Sequence, residues 1–341
     1  MKALRKYEKG IAKFRVEEVD IPKPGKGEVL VEVQFAGICG TDMHIYHDTY
    51  NDAPPMTIGH EFSGVVVEVG IGVSDYKKGD KVVSETNVEY CGSCYLCKSG
   101  RFCLCNNRKA LGQQVDGVFA KFAVIPAREL FKLPENVSMV GAALSEPLSC
   151  VVHAVMQRSN IQAGDNVIVS GPGPIGLMAV MIAKMSGAHV LLTGTTIDAE
   201  RLKLGVELGA DSVVDVMKQD LQEVVQEYTD GKGVDVVLEC SGVGVAVRSG
   251  IAALKKTGIF TQIGLFGKDA ILDLNAFCFK EINFYGCLSK TDWSWRKTMQ
   301  LLATGDIPLD KLVSHKFKLE EWKKAFEISE NKTGMKIVFE P

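Results

Sequence analysis

The chain has 341 residues, which exceeds the size of one typical hydrophobic core and predicts two domains. The formal net charge of −3 gives no electrostatic reason to expect nucleic acid or an anionic membrane as a partner. The first ten residues lack the apolar segment of a signal peptide, so the ten cysteines indicate metal ligands and thiols in a reducing cytoplasm rather than disulfides.

Residues 1 to about 90 predict a β-rich region. Runs of β-branched residues bounded by glycine, at 29–35 and 64–70, predict two strands. Cys39 follows directly on the first strand, and the pair His60 and Glu61 leads into the second. We therefore expect these three side chains at strand ends, where a sheet can hold them rigidly.

Residues 90–105 form a lobe with four cysteines in the spacing C-x2-C-x2-C-x7-C. Four thiolates close a tetrahedral zinc site and leave no position for a substrate. The spacing therefore predicts a structural zinc that clamps a loop with little core of its own. Its ligands are Cys91, Cys94, Cys97 and Cys105, whereas Cys103 is out of register.

A second set of candidate metal ligands consists of Cys39, His60, Glu61 and Glu146. This set has too few thiolates for a closed site, and mixed ligands with a free position are typical of a catalytic zinc. A lone buried cysteine or histidine is more often structural, so the hypothesis depends on finding all four in one chain. Such a zinc would lower the pKa of a substrate hydroxyl.

A proton released at that site must reach bulk water. Thr41 and His44 lie two and five residues beyond Cys39 and offer a hydroxyl and an imidazole for its transfer. The alternative for His44 is an ordinary surface histidine. Asp42 either accepts the N–H of His60 or caps a turn. The candidate catalytic residues are thus Thr41, His44 and Glu61.

From residue 165 the pattern changes to strands alternating with helices, which predicts a parallel doubly wound sheet up to about residue 290. The longest uncharged run, 167–183, contains a Gly-Pro-Gly-Pro turn, so strand, turn and helix are favoured over a membrane span. Beyond residue 290 we expect helices at 293–303 and 320–328 and a closing strand at 334–339.

The turn Gly171-Pro-Gly173-Pro174-Ile175-Gly176 leaves an apolar strand and enters a helix. In that context Gly171 permits the turn, Gly173 lets a pyrophosphate approach the backbone, and Gly176 lets helix and strand pack closely. The helix N-terminus also favours phosphate charge. The turn therefore predicts a dinucleotide site.

The preferred nicotinamide cofactor depends on the end of the second strand of this sheet. NAD sites usually place a carboxylate there, but this strand ends with Gly194, Thr195 and Thr196. Asp198 follows and could cap the next helix. Because the small hydroxyl residues and Arg201 could accept a 2′-phosphate, we favour NADP slightly over NAD.

The ordered motifs resemble one family across essentially the whole chain. The run Gly59-His-Glu61-x-x-Gly64-x5-Gly70-x-x-Val73 and the segment Cys39-Gly-Thr-Asp-x-His44 are similar to its zinc and proton-relay motifs. The segment Ser145-Glu-Pro-Leu-Ser149 looks like its polyol branch. The chain thus resembles the zinc-containing medium-chain alcohol dehydrogenases, particularly the sorbitol (polyol) and threonine dehydrogenase branch.

The resemblance implies an α/β fold with a GroES-like β-rich catalytic domain, residues 1–150 and 291–341, and a Rossmann domain, residues 151–290. It implies two zinc ions per chain, NADP or NAD, and reversible hydride transfer from a secondary alcohol or polyol to the cofactor. Members of the polyol branch differ in whether the two glutamates, here Glu61 and Glu146, bind zinc directly or through water, so both are kept as candidate ligands. A homodimer or homotetramer through the sheet edge near residues 282–288 is also implied.

Two alternatives remain from the sequence. A threonine-type amino-alcohol 3-dehydrogenase would use the same chemistry. A non-catalytic, zinc-stabilised binding protein would need broken ligands in the open site, yet all four are intact. A zinc ribbon that binds nucleic acid is disfavoured by the acidic net charge and by the absence of a flanking basic helix.

Overall fold

Most of the regular secondary structure in the first 130 residues is β-strand, and strands and helices alternate between residues 166 and 286. The computed structural model describes residues 1–267 and 269–341. In those residues the strands are β1 (Lys2–Lys6), β2 (Phe14–Glu18), β3 (Glu28–Gly37), β4 (Met56–Thr57), β5 (Glu61–Val69), β6 (Lys81–Ser84), β7 (Asn87–Glu89), β8 (Lys109–Ala110), β9 (Phe122–Pro126), β10 (Leu130–Lys132), β11 (Asn166–Ser170), β12 (His189–Gly194), β13 (Ser212–Asp215), β14 (Val234–Glu239), β15 (Leu254–Gln262), β16 (Asn283–Gly286), β17 (Val313–Phe317) and β18 (Lys336–Phe339).

The α-helices are mostly short. They are α1 (Gly40–Tyr46), α2 (Tyr95–Lys98), α3 (Met139–Ala142), α4 (Ser145–Val152), α5 (Pro174–Met185), α6 (Ala199–Glu207), α7 (Leu221–Tyr228), α8 (Gly244–Ala253), α9 (Leu274–Lys280), α10 (Asp292–Ala303) and α11 (Trp322–Glu330). A π-helical segment, His153–Arg158, continues α4. Within the described residues, none of these helices combines the length and apolarity needed to cross a bilayer.

Residues Leu148–Lys290 form one compact unit, which we call the central unit. Its sheet has the strand order β13-β12-β11-β14-β15-β16, and all neighbouring strands are parallel. Residues 167–169 are fully buried or nearly so, as expected for a strand covered on both faces. This doubly wound parallel sheet confirms the fold class that the strand and helix alternation predicts.

Residues Met1–Pro147 and Thr291–Pro341 form a second compact unit, which we call the split unit. Its main sheet has the order β10-β6-β5-β3-β18-β17, with β9 also paired to β3. Strand β3 pairs antiparallel with both β5 and β18, so the C-terminal strand of the chain is built into the N-terminal sheet. The closing strand predicted at 334–339 is thus confirmed, two residues shorter.

Some predicted elements have different bounds in the structure. The sequence predicts one helix over 142–156, but the structure divides this range between the end of α3, α4 and the π-helical segment. The sequence also predicts a strand over 117–126, and in the structure this strand begins at Phe122. Neither α1 nor α9 was predicted, because each has only seven residues and too few turns to show a helical period. Helix α1 matters for function because it begins directly after Cys39.

Candidate functional site

The four lobe cysteines predicted from their spacing lie together. The Sγ atom of Cys91 is 3.9 Å from that of Cys97 and 3.6 Å from that of Cys105, and Cys94 Sγ is 4.0 Å from Cys105 Sγ. Tetrahedral zinc with Zn–S bonds of about 2.3 Å places its sulfurs about 3.8 Å apart. The four thiols therefore fit a closed zinc site, and Cys103 is not in this group.

Local hydrogen bonds shape the lobe around its thiols. Cys94 begins the four-residue helix α2, and its Sγ accepts a hydrogen bond from Cys97 N at 3.4 Å. Backbone N–H groups of Cys94 and Ser93 lower the pKa of Cys91 to about 6. Burial and the neighbouring thiols raise the pKa of Cys97 to about 12, so a metal must displace its proton.

A second cluster brings together Cys39, His60 and Glu61, whose ligand atoms all lie within 4.8 Å of one another. Antiparallel pairing of β3 with β5 sets Gly37 opposite Glu61, so the end of one strand lies beside the start of the other. His60 Nδ1 and Glu61 Oε1 are buried and have no hydrogen-bond partner among the described residues. Because two such orphaned atoms are costly, this set of three mixed ligands fits a metal with an open position.

Lys336 also belongs to this cluster, although nothing in the sequence analysis singled it out. It begins β18, is 4% exposed, and donates from Nζ to Glu61 Oε2 and, at 2.8 Å, to Ile38 O. A side chain at Gly37 would collide with Glu61 Oε2, so the glycine leaves room for this ion pair. The available signal was a lysine that opens an otherwise apolar strand.

Charge and burial oppose each other in this cluster. Burial lowers the pKa of His60, but the charges of Asp42 and Cys39 raise it by more than burial lowers it. The pKa of His60 therefore lies well above its ordinary value. Burial raises the pKa of Glu61, although Lys336 lowers it. Burial also lowers the pKa of Lys336, but Glu61 and Cys39 more than offset this. The negative groups of the cluster therefore stabilise a positive charge between them, as the ligands of a metal-binding site should.

Glu146 is buried but is not in the group with Cys39, His60 and Glu61. Its Oε1 accepts a hydrogen bond from Thr86 Oγ1 at 2.9 Å. Its charge nevertheless raises the pKa of Glu61, so the two carboxylates are within electrostatic reach. Of the four predicted ligands of the open site, the structure thus places three together and the fourth nearby.

The candidate proton-transfer residues lie on α1. The Sγ of Cys39 donates to Thr41 Oγ1 at 3.8 Å, whereas His44 is exposed and its Nδ1 lies 3.4 Å from Thr49 Oγ1. Asp42 Oδ2 accepts from Cys39 N at 2.9 Å, and its Oδ1 is 3.7 Å from His60 Nδ1. Asp42 therefore caps α1, one of the two roles the sequence allowed, and lies beyond hydrogen-bond distance of the imidazole.

The glycine turn joins β11 to α5 as its context predicts. Gly171 has φ +97°, and a side chain there would meet Ser241. A side chain at Gly176 would collide with Gly171 O, whereas Gly173 faces open space. Gly173 is the N-cap of α5, and Pro174 is the first residue of the helix. The turn thus offers open backbone at a helix N-terminus, which suits a pyrophosphate.

The residues that follow β12 are held by two carboxylates. Thr195 Oγ1 donates to Asp198 Oδ2 at 2.8 Å, and Thr196 Oγ1 donates to Asp215 Oδ2 at 2.7 Å. The Nη1 atom of Arg201 lies 3.7 Å from Asp198 Oδ1. Asp215 ends the neighbouring strand β13, opposite Gly194 in the register. Asp215 was not predicted, because it lies on a different strand from the turn.

Two protein-family models match the chain. The "Alcohol dehydrogenase GroES-like domain" matches residues 25–135, and the "Zinc-binding dehydrogenase" model matches residues 174–304. The first match covers the four lobe cysteines together with Cys39, His60 and Glu61, but not Glu146 or Lys336. The second match begins inside the glycine turn.

Three relatives span nearly the same length as this chain. It is 42% identical to a sorbitol dehydrogenase of Halalkalibacterium halodurans, with 100% of this chain and 99% of the relative covered. It is 41% identical to a D-arabitol-phosphate dehydrogenase of Enterococcus avium, covering 100% and 97%. It is 40% identical to an L-threonine 3-dehydrogenase of Pyrococcus furiosus, covering 94% and 93%.

The fold is equally well matched by a solved structure. A zinc-binding dehydrogenase from Sinorhizobium meliloti bound to NADP is 34% identical and superposes with a TM-score of 0.91, covering 100% of this chain and 99% of the other. These similarities confirm the resemblance to the polyol and threonine dehydrogenase branch. The chain is therefore an enzyme, and it belongs to the zinc-containing medium-chain alcohol dehydrogenase family.

Proposed function

We propose that this chain oxidises a secondary alcohol or polyol to the ketone, reversibly, with NADP or NAD as the hydride acceptor. The observation that carries the proposal is the cluster of Cys39, His60 and Glu61, which offers three mixed ligands and leaves a position open. In this proposal residues 1–150 and 291–341 form the catalytic domain, and residues 151–290 form the dinucleotide-binding domain.

Zinc at this cluster supplies Lewis acidity, which lowers the pKa of a substrate hydroxyl toward neutrality. Cys39 and His60 hold the metal from the ends of β3 and β5, and Glu61 supplies a carboxylate oxygen. Glu146 acts through its charge, since it lies outside the ligand group but raises the pKa of Glu61. The lobe residues Cys91, Cys94, Cys97 and Cys105 hold the second, structural zinc.

Thr41 and His44 move the proton that the hydroxyl releases. Thr41 Oγ1 lies 3.8 Å from Cys39 Sγ, so its hydroxyl is next to the ligand cluster. His44 lies on the exposed side of α1, where its imidazole can exchange a proton with bulk water. In this proposal the proton passes from the buried cluster to solvent along α1.

The glycine turn binds the pyrophosphate of the cofactor, which carries the hydride. Gly171, Gly173, Pro174, Ile175 and Gly176 form this cradle. The adenosine ribose lies against the end of β12 and the residues after it, which are Gly194, Thr195, Thr196 and Arg201. NADP is slightly favoured because β12 ends without a carboxylate and because the similar Sinorhizobium meliloti enzyme is bound to NADP. Clearly tighter binding of NADH than of NADPH, by fluorescence titration, would reverse this preference.

Turnover on a panel of polyols, secondary alcohols and threonine, followed by cofactor absorbance, tests the reaction. We expect reduction of NADP or NAD with a polyol or secondary alcohol, and roughly two zinc ions per chain by metal analysis. Activity on threonine but on no polyol would favour the threonine-type 3-dehydrogenase, which the Pyrococcus furiosus relative supports. No turnover with any alcohol despite full zinc loading would favour the zinc-stabilised binding protein instead.

We also propose that two or four copies assemble through β16, which lies at the edge of the central sheet. Phe279 and Leu274 are 79% and 71% exposed on α9, and Phe284 on β16 is 41% exposed. An edge strand beside exposed apolar side chains is suited to pairing with another copy. A monomer mass by light scattering at micromolar concentration would contradict this assembly. A reducing cytoplasm, where the thiol ligands stay reduced, is the proposed location.

A further inference from the structure

Lys336 is a buried cation in the split unit. Its side chain is 4% exposed, and a buried ammonium is costly unless charged and polar partners surround it. Its Nζ contacts Glu61 Oε2 and donates to Ile38 O at 2.8 Å. The lysine therefore stays buried because it holds one particular oxygen of Glu61.

The two oxygens of Glu61 have different surroundings. Oε2 accepts from Lys336, whereas Oε1 is buried without a hydrogen-bond partner among residues 1–267 and 269–341. A carboxylate with both oxygens free can bind a metal through one or both of them. Here only one oxygen of Glu61 is left for another partner.

Rigid strands fix this arrangement. Lys336 opens β18 and Glu61 opens β5, and both strands pair antiparallel with β3, which lies between them. Gly37 ends β3, and a side chain there would collide with Glu61 Oε2. The ion pair thus crosses the end of β3 at Gly37, where glycine leaves space for it because it has no side chain. Side chains held by strands on both sides lose little entropy when they act together.

We propose that Lys336 is a positioning residue that restricts Glu61 to a single oxygen at the zinc held by Cys39, His60 and Glu61. By occupying Oε2, the lysine keeps the protein from filling the position that the substrate needs. This inference rests on the proposed function, because it assumes a metal at that cluster. Without the lysine, Glu61 would bind through both oxygens and raise the coordination number from four to five.

Cobalt(II) in place of zinc reports this coordination number, because four-coordinate cobalt absorbs visible light far more strongly than five-coordinate cobalt. The difference spectrum between the protein and its Cys39→Ser variant isolates the open site from the lobe. In Lys336→Met we expect the visible band of the open site to fall to roughly half or less. Lys336→Arg should restore it, since a guanidinium can also hold Oε2.

Lys6→Met is the matched control. Lys6 is another fully buried lysine of the split unit, and its partners are Asp48 at 2.6 Å and Asp52 at 3.0 Å. Its loss should lower the unfolding temperature but leave the cobalt band unchanged. An unchanged band in folded Lys336→Met, or an equal loss in Lys6→Met, would overturn the positioning role.

The zinc-loaded structure of the unaltered protein tests the same inference even if Lys336→Met does not fold. We expect one oxygen of Glu61 within about 2.0–2.2 Å of zinc and the other on Lys336. Both oxygens, or neither, on the metal would overturn the inference while leaving the enzyme proposal intact. If the Cys39→Ser difference spectrum shows no cobalt at all, the proposed function itself fails and the positioning role fails with it.

Discussion

The four-cysteine lobe and the cluster of Cys39, His60 and Glu61 assemble their ligands in different ways. The lobe draws four thiols from one segment, residues 91–105, and its local hydrogen bonds run from backbone N–H to sulfur. The other cluster takes its ligands from two strand ends, and the lysine that contacts it lies 275 residues away from Glu61 in the chain. A metal in the lobe therefore supplies the stability that a hydrophobic core would otherwise give. The sheet holds the ligands of the other cluster in place without a metal.

Cys39→Ser should separate the two regions most strongly. We expect kcat/KM to fall by roughly a thousandfold or more, because a catalytic zinc supplies several kcal/mol of transition-state stabilisation. The fold should survive, since the sheet around β3 does not depend on this thiol. Metal analysis should show one zinc per chain retained in the lobe, and the circular dichroism spectrum should be unchanged. A variant that melts would mean that the roles of the two regions are reversed.

Cys94→Ala should have the opposite effect, because it should disrupt the lobe and leave the open site intact. Cys94 is both a lobe thiol and the N-cap of α2, so its loss removes a metal ligand and the cap together. We expect the lobe to lose its zinc and become sensitive to proteolysis, and the free energy of unfolding to fall by several kcal/mol. The open site should keep its own metal. Unaltered zinc content and unaltered stability in this variant would contradict the structural role.

The same difference explains what could be predicted from the sequence. The lobe is encoded by spacing within a short segment, so its four ligands follow from the sequence and the structure places them together. The glycine turn is also local, and the structure places it between a strand and a helix, as predicted. The parallel sheet of the central unit follows from the alternation of strand and helix periods between residues 165 and 290.

Features that depend on long-range pairing could not be predicted in the same way. Lys336 contacts Glu61 only because β5 and β18 both pair with β3, and no local pattern encodes that register. Asp215 contacts Thr196 for the same reason, from the neighbouring strand. Glu146 was predicted as a ligand from a motif, which gives residue type but not the distance that places it outside the ligand group.

A buried carboxylate beside the lobe should make stability depend on pH. Burial is the main cause that raises the pKa of Glu129 to about 7 from an ordinary value of 4.5; Arg128 opposes this rise and Glu85 adds to it. Because the folded state binds the proton more tightly than the unfolded state, stability falls as pH rises from about 4.5 to about 7. The side chain in Glu129→Gln stays neutral at every pH. The free energy of unfolding of this variant should therefore exceed that of the parent by on the order of 2 kcal/mol at pH 8 and match it near pH 5.

Denaturant unfolding at several pH values, taken as the difference between variant and parent, measures this effect and cancels shared titrations. Glu89→Gln is the control, because Glu89 is an exposed carboxylate on β7 paired with Lys109 at 2.8 Å. Its difference from the parent should not change with pH. A difference for Glu129→Gln that is equally flat would contradict the burial of charge at this position.

The smallest expected effect compares one hydroxyl in each region. Thr86 Oγ1 donates to Glu146 Oε1 at 2.9 Å near the open cluster, and Tyr90 OH donates to Glu129 Oε1 at 3.2 Å beside the lobe. Thr86→Val should lower kcat/KM about fivefold, since a hydrogen bond worth about 1 kcal/mol no longer orients Glu146. Tyr90→Phe should leave kcat/KM unchanged and alter only stability. A kcat/KM equal to the parent's in both variants would mean that the hydrogen bond from Thr86 to Glu146 has no part in turnover. A loss of kcat/KM in Tyr90→Phe alone would instead tie the lobe to catalysis.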